Sequence, residues 1–494
     1  MSGMLQKARD YEKKTGASIL KTERPVFHLT PQCGWMNDPN GFSYYGGKYH
    51  LFYQYNPYDV HWDAMHWGHA VSTDLLHWEY LPAALAPDSA YDDAGCFSGS
   101  AVELDDGRQL LMYTGVNRRV MPDGQKKDIQ VQCVAVGNGL DYEKYAGNPV
   151  IDDSMLPPAA SIFDFRDPKL WRKSDGTFCC AVASRPADGS GQILLYTSAD
   201  GFSWKFWKVL DANCNRFGKM WECPDFFELD GMHVLMVSPQ NMTCEGEFNS
   251  GNGTLCILGD FDEKAGEFTE HKFQTVDSGI DFYAMQTVTT PDGRRIMIGW
   301  LQNWDLCNYR PSNPKWYGQM SLPRELYIKN GRLCQKPVRE LESLHGKKKE
   351  FCSVKIEDSI LPLDSAWGKC LDLSISVKSC GSGAACFSVR LFEGNGRCVR
   401  VYYDFSNRKA GVDRTMAGSR NALLHERSCN CDAGENGEVK MRIVADRNSV
   451  EAFFGDGEKV MSLCVYDEGL ADGVSFEALG CIEMNAACYK ILEG

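Results

Sequence analysis

The chain has 494 residues, 43% of them apolar, and a formal net charge of −14, so it can bury large cores and is long enough for two domains. With a pI near 5.3, it lacks the basic surface that nucleic acid or an anionic membrane needs to displace counterions, which excludes both as partners. Met1 to Pro25 has no apolar leader core and no stretch is long and apolar enough to span a bilayer; the twenty-one cysteines are scattered, odd in number and free of Cys-x-x-Cys pairs, which reads as reduced thiols in a cytoplasmic protein rather than disulfides or a structural zinc site.

Residues 1–23 form an N-terminal extension in which a short amphipathic helix is expected before residue 20. Short β-like runs then take over: Lys48 to Gln54, Gln109 to Tyr113, Gln130 to Val136, Gln192 to Ser198 and Arg295 to Leu301, separated by turn residues with no long helical period between them. Ser72 to Trp78 and Ser198 to Trp204 share a Ser-x-Asp-x-x-x-Trp frame, with a weaker copy at Asn138 to Tyr142 and a degenerate one at Asp262. The spacings from Asp74 to Asn138 and on to Asp200 are 64 and 62 residues, a period that indicates stacked β units. About five such units fit between Arg24 and Lys329, within the range of a β-propeller; a pair of β-sandwiches is the alternative from pattern alone. The frame itself reads as turn structure and not as a binding site.

The propeller is expected over 24–335, a linker helix over 336–350, and a β-sandwich over 351–494, where alternating runs resume without the period (Ala385 to Phe392, Cys398 to Phe405, Glu438 to Val444, Ser449 to Phe454, Val460 to Val465). Its acids, such as Asp404 and Asp446, are read as ordinary turn residues.

Three carboxylates stand in Pro-containing turns: Asn37-Asp38-Pro39-Asn40-Gly41, Arg166-Asp167-Pro168 and Glu222-Cys223-Pro224-Asp225. Their spacings, 129 and 55 residues, are near two periods and one. They would occupy units one, three and four and converge on the propeller axis. With Trp35, Trp62, Trp67 and Trp300 nearby, such a pocket suits a sugar, because indole faces stack on C–H faces while carboxylates bind hydroxyls. Two carboxyl groups suffice for glycoside cleavage and a third can hold the ring.

Seven segments in series carry a specific resemblance: Trp35 to Gly41, Gln54-Tyr55-Asn56-Pro57, Trp67-Gly68-His69, Phe97-Ser98-Gly99-Ser100, Phe165 to Lys169, Glu222 to Asp225, and Asp281-Phe282-Tyr283-Ala284-x-Gln286. Together they resemble glycoside hydrolase family 32, the invertases and β-fructofuranosidases, over about 250 residues. The resemblance implies an all-β fold of a five-bladed propeller followed by a β-sandwich, and hydrolysis of sucrose or sucrose 6-phosphate, or of short fructo-oligosaccharides, with net retention. It implies Asp38 as nucleophile, Glu222 as acid/base and Asp167 as transition-state stabiliser. Asn37, Gln54, Trp62, Phe97, Ser98, Arg166 and Trp300 match its substrate-contact positions. No metal or organic cofactor is implied, and the partner is a small sugar. A fructosyltransferase and a catalytically silent sugar-binding relative are the alternatives. Asp63 and Met285 depart from the family pattern and are expected at the pocket rim.

His61, His66 and His69 have a spacing that could hold a metal, but the interleaved tryptophans favour packing roles. Arg118, Arg119, Lys126 and Lys127 read as a solvated loop cluster that matters only for a phosphorylated substrate.

Overall fold

The computed structural model describes residues 2–158, 160–186, 189–363, 367–381, 385–417, 422–466 and 469–492. A helix, Gly3–Gly16, starts at Ser2, whose hydroxyl accepts from Leu5 N, as an N-cap should. Five sheets follow, each built on an antiparallel ladder of four strands that runs outward from an inner strand, with a further parallel strand added to the first. The inner strands are Gly34–Tyr45, Gly95–Glu103, Phe165–Arg172, Trp221–Leu229 and Tyr283–Thr289, here blades 1 to 5. The propeller and its five units are therefore as expected, with the three carboxylate turns in blades 1, 3 and 4.

Burial falls from axis to rim. The inner strand of blade 3 is buried over its first six residues, whereas the outermost strand of blade 4, Glu267–Gln274, alternates with solvent. The repeated frame fixes turns before outer strands. Asp74 Oδ1 accepts from Leu76 N and His77 N, and Asp200 Oδ1 from Phe202 N and Ser203 N, with Ser72 and Ser198 hydroxyls on the same carboxylates. Asp262 does the same with Lys264 N and Ala265 N, so the degenerate fourth copy keeps its turn while Asp260 and Gly266 stand where the frame has serine and tryptophan.

The ring closes between blades 5 and 1. A long insertion after Trp300 returns as the two-residue strand Trp316–Tyr317, which pairs in parallel with Gly34 and Trp35. This clasp had no signal in the 62-residue period.

Of the linker helix expected over 336–350, only a six-residue 3-10 helix, Arg339–Leu344, forms; Arg332–Pro337 is the outermost strand of blade 5 and strand begins again at His345. The charged run Lys347-Lys348-Lys349-Glu350 lies largely exposed in a strand, His345–Pro362, rather than on a helix face. That strand pairs along most of its length with Gly473–Ile491. On its other edge Gly473–Ile491 pairs first with Cys386–Gly394 and then with Leu371–Ser379, so one long strand serves two layers. The ten-stranded, nearly closed sandwich packs around Trp367, Phe387, Tyr403, Phe454 and Phe476.

The two domains meet over a buried charge cluster. Arg324 of blade 5 bonds Glu451, Asp277 and the Ser462 hydroxyl. His28, just ahead of blade 1, is held between Asp446 (Nδ1, 2.8 Å) and Glu451 (Nε2, 2.9 Å). Asp446 is thus a buried interface acid and not the ordinary turn residue read from sequence, while Asp404 does sit in a turn. Burial alone would depress the His28 imidazole, but the two carboxylates outweigh it and hold its pKa at about 9. Burial would likewise raise Asp446, yet His28 and two backbone N–H groups keep it at about 2. Removing one partner from such a cluster costs about 3–5 kcal/mol because the others stay buried.

The folded protein therefore keeps a proton on His28 that the unfolded chain releases near pH 6.5. This stabilisation is fully present below pH 6.5 and is lost as pH rises through 9. Calorimetric melting temperatures should fall over that interval in the wild type, and His28→Gln should melt lower throughout without that fall. Parallel curves for the two proteins would remove His28 as the group responsible.

Candidate active site

Every inner strand is interrupted near its start. The ladders to the second strands skip Asn37-Asp38 in blade 1, Ser98 in blade 2, Asp167-Pro168 in blade 3, Cys223-Pro224 in blade 4 and Ala284-Met285 in blade 5. Each skip is a bulge, which bends a strand and re-aims its side chains. Proline suits such places because it has no N–H to give to a ladder. Asp167, Cys223 and Ala284 take positive φ there, 64°, 50° and 53°, a conformation that costs a non-glycine residue about 1–3 kcal/mol.

The backbone N–H groups freed by the bulges are taken up by side chains of the preceding blade. Gly99 N donates to Asn40 Oδ1, Asp167 N to Thr114 Oγ1, Cys223 N to Asp167 Oδ2, Ala284 N to Ser238 Oγ, and Phe42 N, in a second bulge of blade 1, to Gln286 Oε1. The relay passes once around the ring. Because Asp167 is both a bulge residue and the cap of the next bulge, a carboxylate is built into the scaffold.

Four of the five bulges meet at the axis. Asp38 Oδ2 accepts from the Ser98 hydroxyl at 2.6 Å and faces the Cys223 thiol at 3.5 Å; Oδ1 accepts from Asn37 Nδ2 at 3.0 Å. Asn37 is in turn held by Trp35 Nε1 at 2.7 Å. Asp167 Oδ2 accepts from Cys223 N at 3.0 Å and lies 3.7 Å from the thiol. Glu222 precedes its bulge: its Oε1 accepts from Arg166 Nε (3.0 Å) and Nη2 (2.8 Å), and its Oε2 lies 2.7 Å from the Tyr283 hydroxyl. Arg166 is steadied by Asp164 Oδ1 and Gln130 Oε1. The structure thus brings Asp38, Asp167, Glu222, Arg166, Asn37 and Ser98 into one cluster.

Burial pushes Asp38 up from the ordinary carboxylate range, with Ser98 opposing and Glu222 adding. Burial also raises Asp167, to about 7, against the pull of Arg166 and with the push of Glu222 and Asp38. Three acids around one guanidinium in a dry pocket cannot all stay ionised without cost. The cluster holds a proton near neutrality. The Cys223 thiol is pushed far above its usual range by burial and by these acids; it is a hydrogen-bond donor here and not a nucleophile.

Trp62 is 44% exposed and meets Phe97 edge to face at 5.6 Å, so the two form an open aromatic wall. Gln54 is buried and donates to Cys96 O. Trp300 is different: fully buried, it packs behind Trp35 and Trp304 and reaches the pocket only through them. Asp63 is exposed beside Trp62, as expected of a rim residue, but Met285 is fully buried against Ser238 Oγ and belongs to the floor, not the rim. His61, His66 and His69 turn to separate partners, Asp59, the Ala64 carbonyl and His50, and burial lowers His66 to about 4. Among the described residues no group of three His, Cys, Asp or Glu side chains is arranged to hold a metal ion.

Sequence reading did not find Tyr283, Gln130 or Thr114 as supports. Tyr283 lies in one of the quoted segments, but nothing local indicates that its hydroxyl reaches an acid 61 residues earlier.

The sequence matches the glycosyl hydrolases family 32 N-terminal domain over residues 28–337 and the family 32 C-terminal domain over 340–485. It is 37% identical to a raffinose invertase of Escherichia coli over 95% of this chain and 94% of that one, and 39% identical to a sucrose-6-phosphate hydrolase of Escherichia coli over 90% and 89%. A Bombyx mori family 32 β-fructofuranosidase solved with sucrose superposes with a TM-score of 0.81 at 32% identity, covering 98% of this chain and 97% of that one. With both domain matches and the shared propeller-and-sandwich architecture, the chain belongs to glycoside hydrolase family 32.

Proposed function

We propose that this protein is a retaining β-fructofuranosidase. Asp38 attacks the anomeric C2 of a bound fructosyl unit, Glu222 gives its proton to the departing glycosidic oxygen and then takes one from water, and Asp167 holds ring hydroxyls. The observation that carries this reading is the linkage of the three acids through Cys223, whose thiol faces Asp38 while its N–H fixes Asp167 and its neighbour is Glu222. Ser98 and Asn37 fix both oxygens of Asp38, as a nucleophile requires, and Trp62 with Phe97 offers a stacking wall for the sugar. No cofactor enters this reaction. We place the protein in a reducing, cytoplasmic setting, because all twenty-one cysteines are free thiols, most of them buried.

The far side of the bond is read from the blade 2 hairpin. The inner strand of blade 2 starts at Gly95, which pairs with Val116. The hairpin arms continue past that level through Asn117 to Val120 and back from Lys126 to Ile129, so the tip overhangs the face where all inner strands begin. Arg118 pairs with Asp128, Arg119 donates to the Asn117 side chain, and Lys127 lies 4.8 Å above Phe163, the neighbour of Asp164 in sequence. The hairpin carries four basic residues against its own Asp123 and Asp128, and the charges of Asp63 and Asp93 also reach Arg118, so its basic character is concentrated at Arg119, Lys126 and Lys127. It suits an aglycone carrying a phosphate, which is drawn from solution by the local field and held by charge-assisted hydrogen bonds.

Asp38→Ala should abolish turnover of sucrose, and Glu222→Gln should lower it by roughly 10²–10⁴-fold while losing less on a 4-nitrophenyl fructoside, whose leaving group needs no proton. An Asp38→Ala enzyme with wild-type turnover would refute the nucleophile. The raised Asp38 places the acid limb of kcat/KM above the usual carboxylate range, since protonated Asp38 cannot attack. Ser98→Ala removes a hydrogen bond to the ionised form and should move that limb to higher pH; an unmoved limb contradicts the assignment. Sucrose 6-phosphate should exceed sucrose in kcat/KM by tenfold or more, about 1.4 kcal/mol, and Arg119→Ala with Lys127→Ala should remove most of that ratio. Equal kcat/KM for both sugars in the wild type would refute phosphate selection.

A further inference from the structure

The long sandwich strand Gly473–Ile491 changes partners along one edge, and the change falls at Cys481. Leu371–Ser379 runs beside it until Ser379 pairs with Ile482, and Cys386–Gly394 takes over where Cys386 pairs with Leu479. Cys380 stands on the last rung before the handover: its N–H donates to the Cys481 carbonyl at 2.9 Å. The register therefore sets Cys380 directly opposite Cys481, as a hydrogen-bonded pair of antiparallel strands. Both side chains lie on the solvent face. The next pair on that face is Lys378 with Glu483 (3.1 Å), and Leu479 on it is 61% exposed, whereas Val377 and Ile482 on the other face belong to the sandwich core. Both cysteines are partly exposed free thiols, and the thiol of Cys481 is in hydrogen-bond contact with that of Cys380. Residues paired in this way have Cα atoms about 5.5 Å apart, inside the span of about 4.4–6.8 Å that a disulfide bridges.

We propose that Cys380 and Cys481 form a redox modification site, a surface dithiol that closes by exchange with a low-molecular-weight disulfide and then staples the sandwich. The Cys380 thiolate attacks one sulfur of the small disulfide, whose S–S bond breaks; the electron pair leaves with a small thiolate, which takes up a proton. Cys481 then releases its proton to water and attacks the Cys380 sulfur, and a second small thiolate leaves with the electron pair of the mixed disulfide and is protonated in turn. The protein dithiol is oxidised by two electrons and the small disulfide is reduced to two thiols. Desolvation, and then the hydrogen bond and charge of Cys380, raise the Cys481 thiol above its ordinary range, which suits it to the second attack, because the thiolate is the nucleophile in each step. Glu357, which pairs with Cys481 across the other edge of the strand, pushes the same way, and Lys355 opposes it. The bond closes a loop of about 100 residues, which restricts the unfolded chain far more than a sheet that already holds the two residues in register. It ties the strand that serves two layers to one of them at the point of handover. An exposed pair of this kind is readily reduced, so it rests open in a reducing setting and closes when small disulfide accumulates. The site lies on the sandwich and does not depend on the chemistry assigned to the propeller.

The test incubates the folded wild-type protein with glutathione disulfide, blocks the remaining thiols with iodoacetamide and maps the peptides by mass spectrometry. An intramolecular bond from Cys380 to Cys481 should form and should reopen with dithiothreitol. In Cys481→Ser the remaining Cys380 should carry a glutathione adduct instead, as should Cys481 in Cys380→Ser. The closed wild type should melt at least about 2 °C above its reduced form, a rise that neither serine variant shows. Separate glutathione adducts on the two cysteines of the wild type, two unreacted thiols, a bond from Cys481 to Cys386, or a closed form that melts no higher than the open one would each overturn the proposal. So would a Cys380–Cys481 bond that forms only when the protein is oxidised in urea, because the folded register would then not be what joins them. Should a serine variant not fold, the peptide map and melting curves of the wild type decide alone.

Discussion

The site depends on one geometric constraint, that an unbroken β-strand cannot point successive side chains along a propeller axis. Side chains of a regular strand alternate toward the two neighbouring blades. A bulge breaks the alternation, and here all five inner strands have one at the same depth. The resulting strain at Asp167, Cys223 and Ala284 is offset by a hydrogen bond from each residue's own N–H to the blade before it. Ring closure and the aiming of the site residues are therefore a single structural event.

The same relay explains why acids can be held so closely in a dry place. Asp167 is needed by the fold as the acceptor for Cys223 N, and Arg166, one residue away, reaches across to Glu222. One guanidinium cannot neutralise three carboxylates, and burial raises Asp38 and Asp167. The pocket thus favours retention of a proton among these acids, while the Tyr283 hydroxyl caps the second oxygen of Glu222. A second buried cluster, around His28 and Arg324, is balanced differently. There, acids and bases are interleaved and fully partnered, which makes it a fastening between propeller and sandwich and not a reactive site.

Sequence alone indicated the all-β architecture, a count of about five units and the three carboxylate turns through local chemistry, and the family resemblance then chose the five-bladed propeller over a pair of sandwiches. Asp and Ser at fixed offsets close the turns before outer strands, so the blade period survives in the sequence as Asp74, Asn138, Asp200 and Asp262. Proline beside an acid in a strand-like run marks a bulge, because only there is its missing N–H harmless. Asp38 and Asp167 stand out for this reason, Glu222, two residues ahead of Pro224, stands out through its matched segment, and Asn37, Ser98 and Arg166 follow as neighbours in the matched segments. The expected helix before residue 350 is cut back to Arg339–Leu344, since an exposed charged run suits a strand as well as a helix face, and only pairing with Gly473–Ile491 decided for Lys348 to Glu350.

What tertiary structure decided are the contacts between distant segments. Trp300 has the composition of a sugar platform, yet the Trp316–Tyr317 clasp and Trp304 bury it behind Trp35. Asp446 looks like any turn acid until His28 is folded against it from 418 residues away. Tyr283 looks like a core aromatic until its hydroxyl is found between Glu222 and Ser238. Turn chemistry is written within a few residues and can be read there. The contact of Tyr283 with Glu222 and Ser238 joins two neighbouring blades, and no local pattern records it.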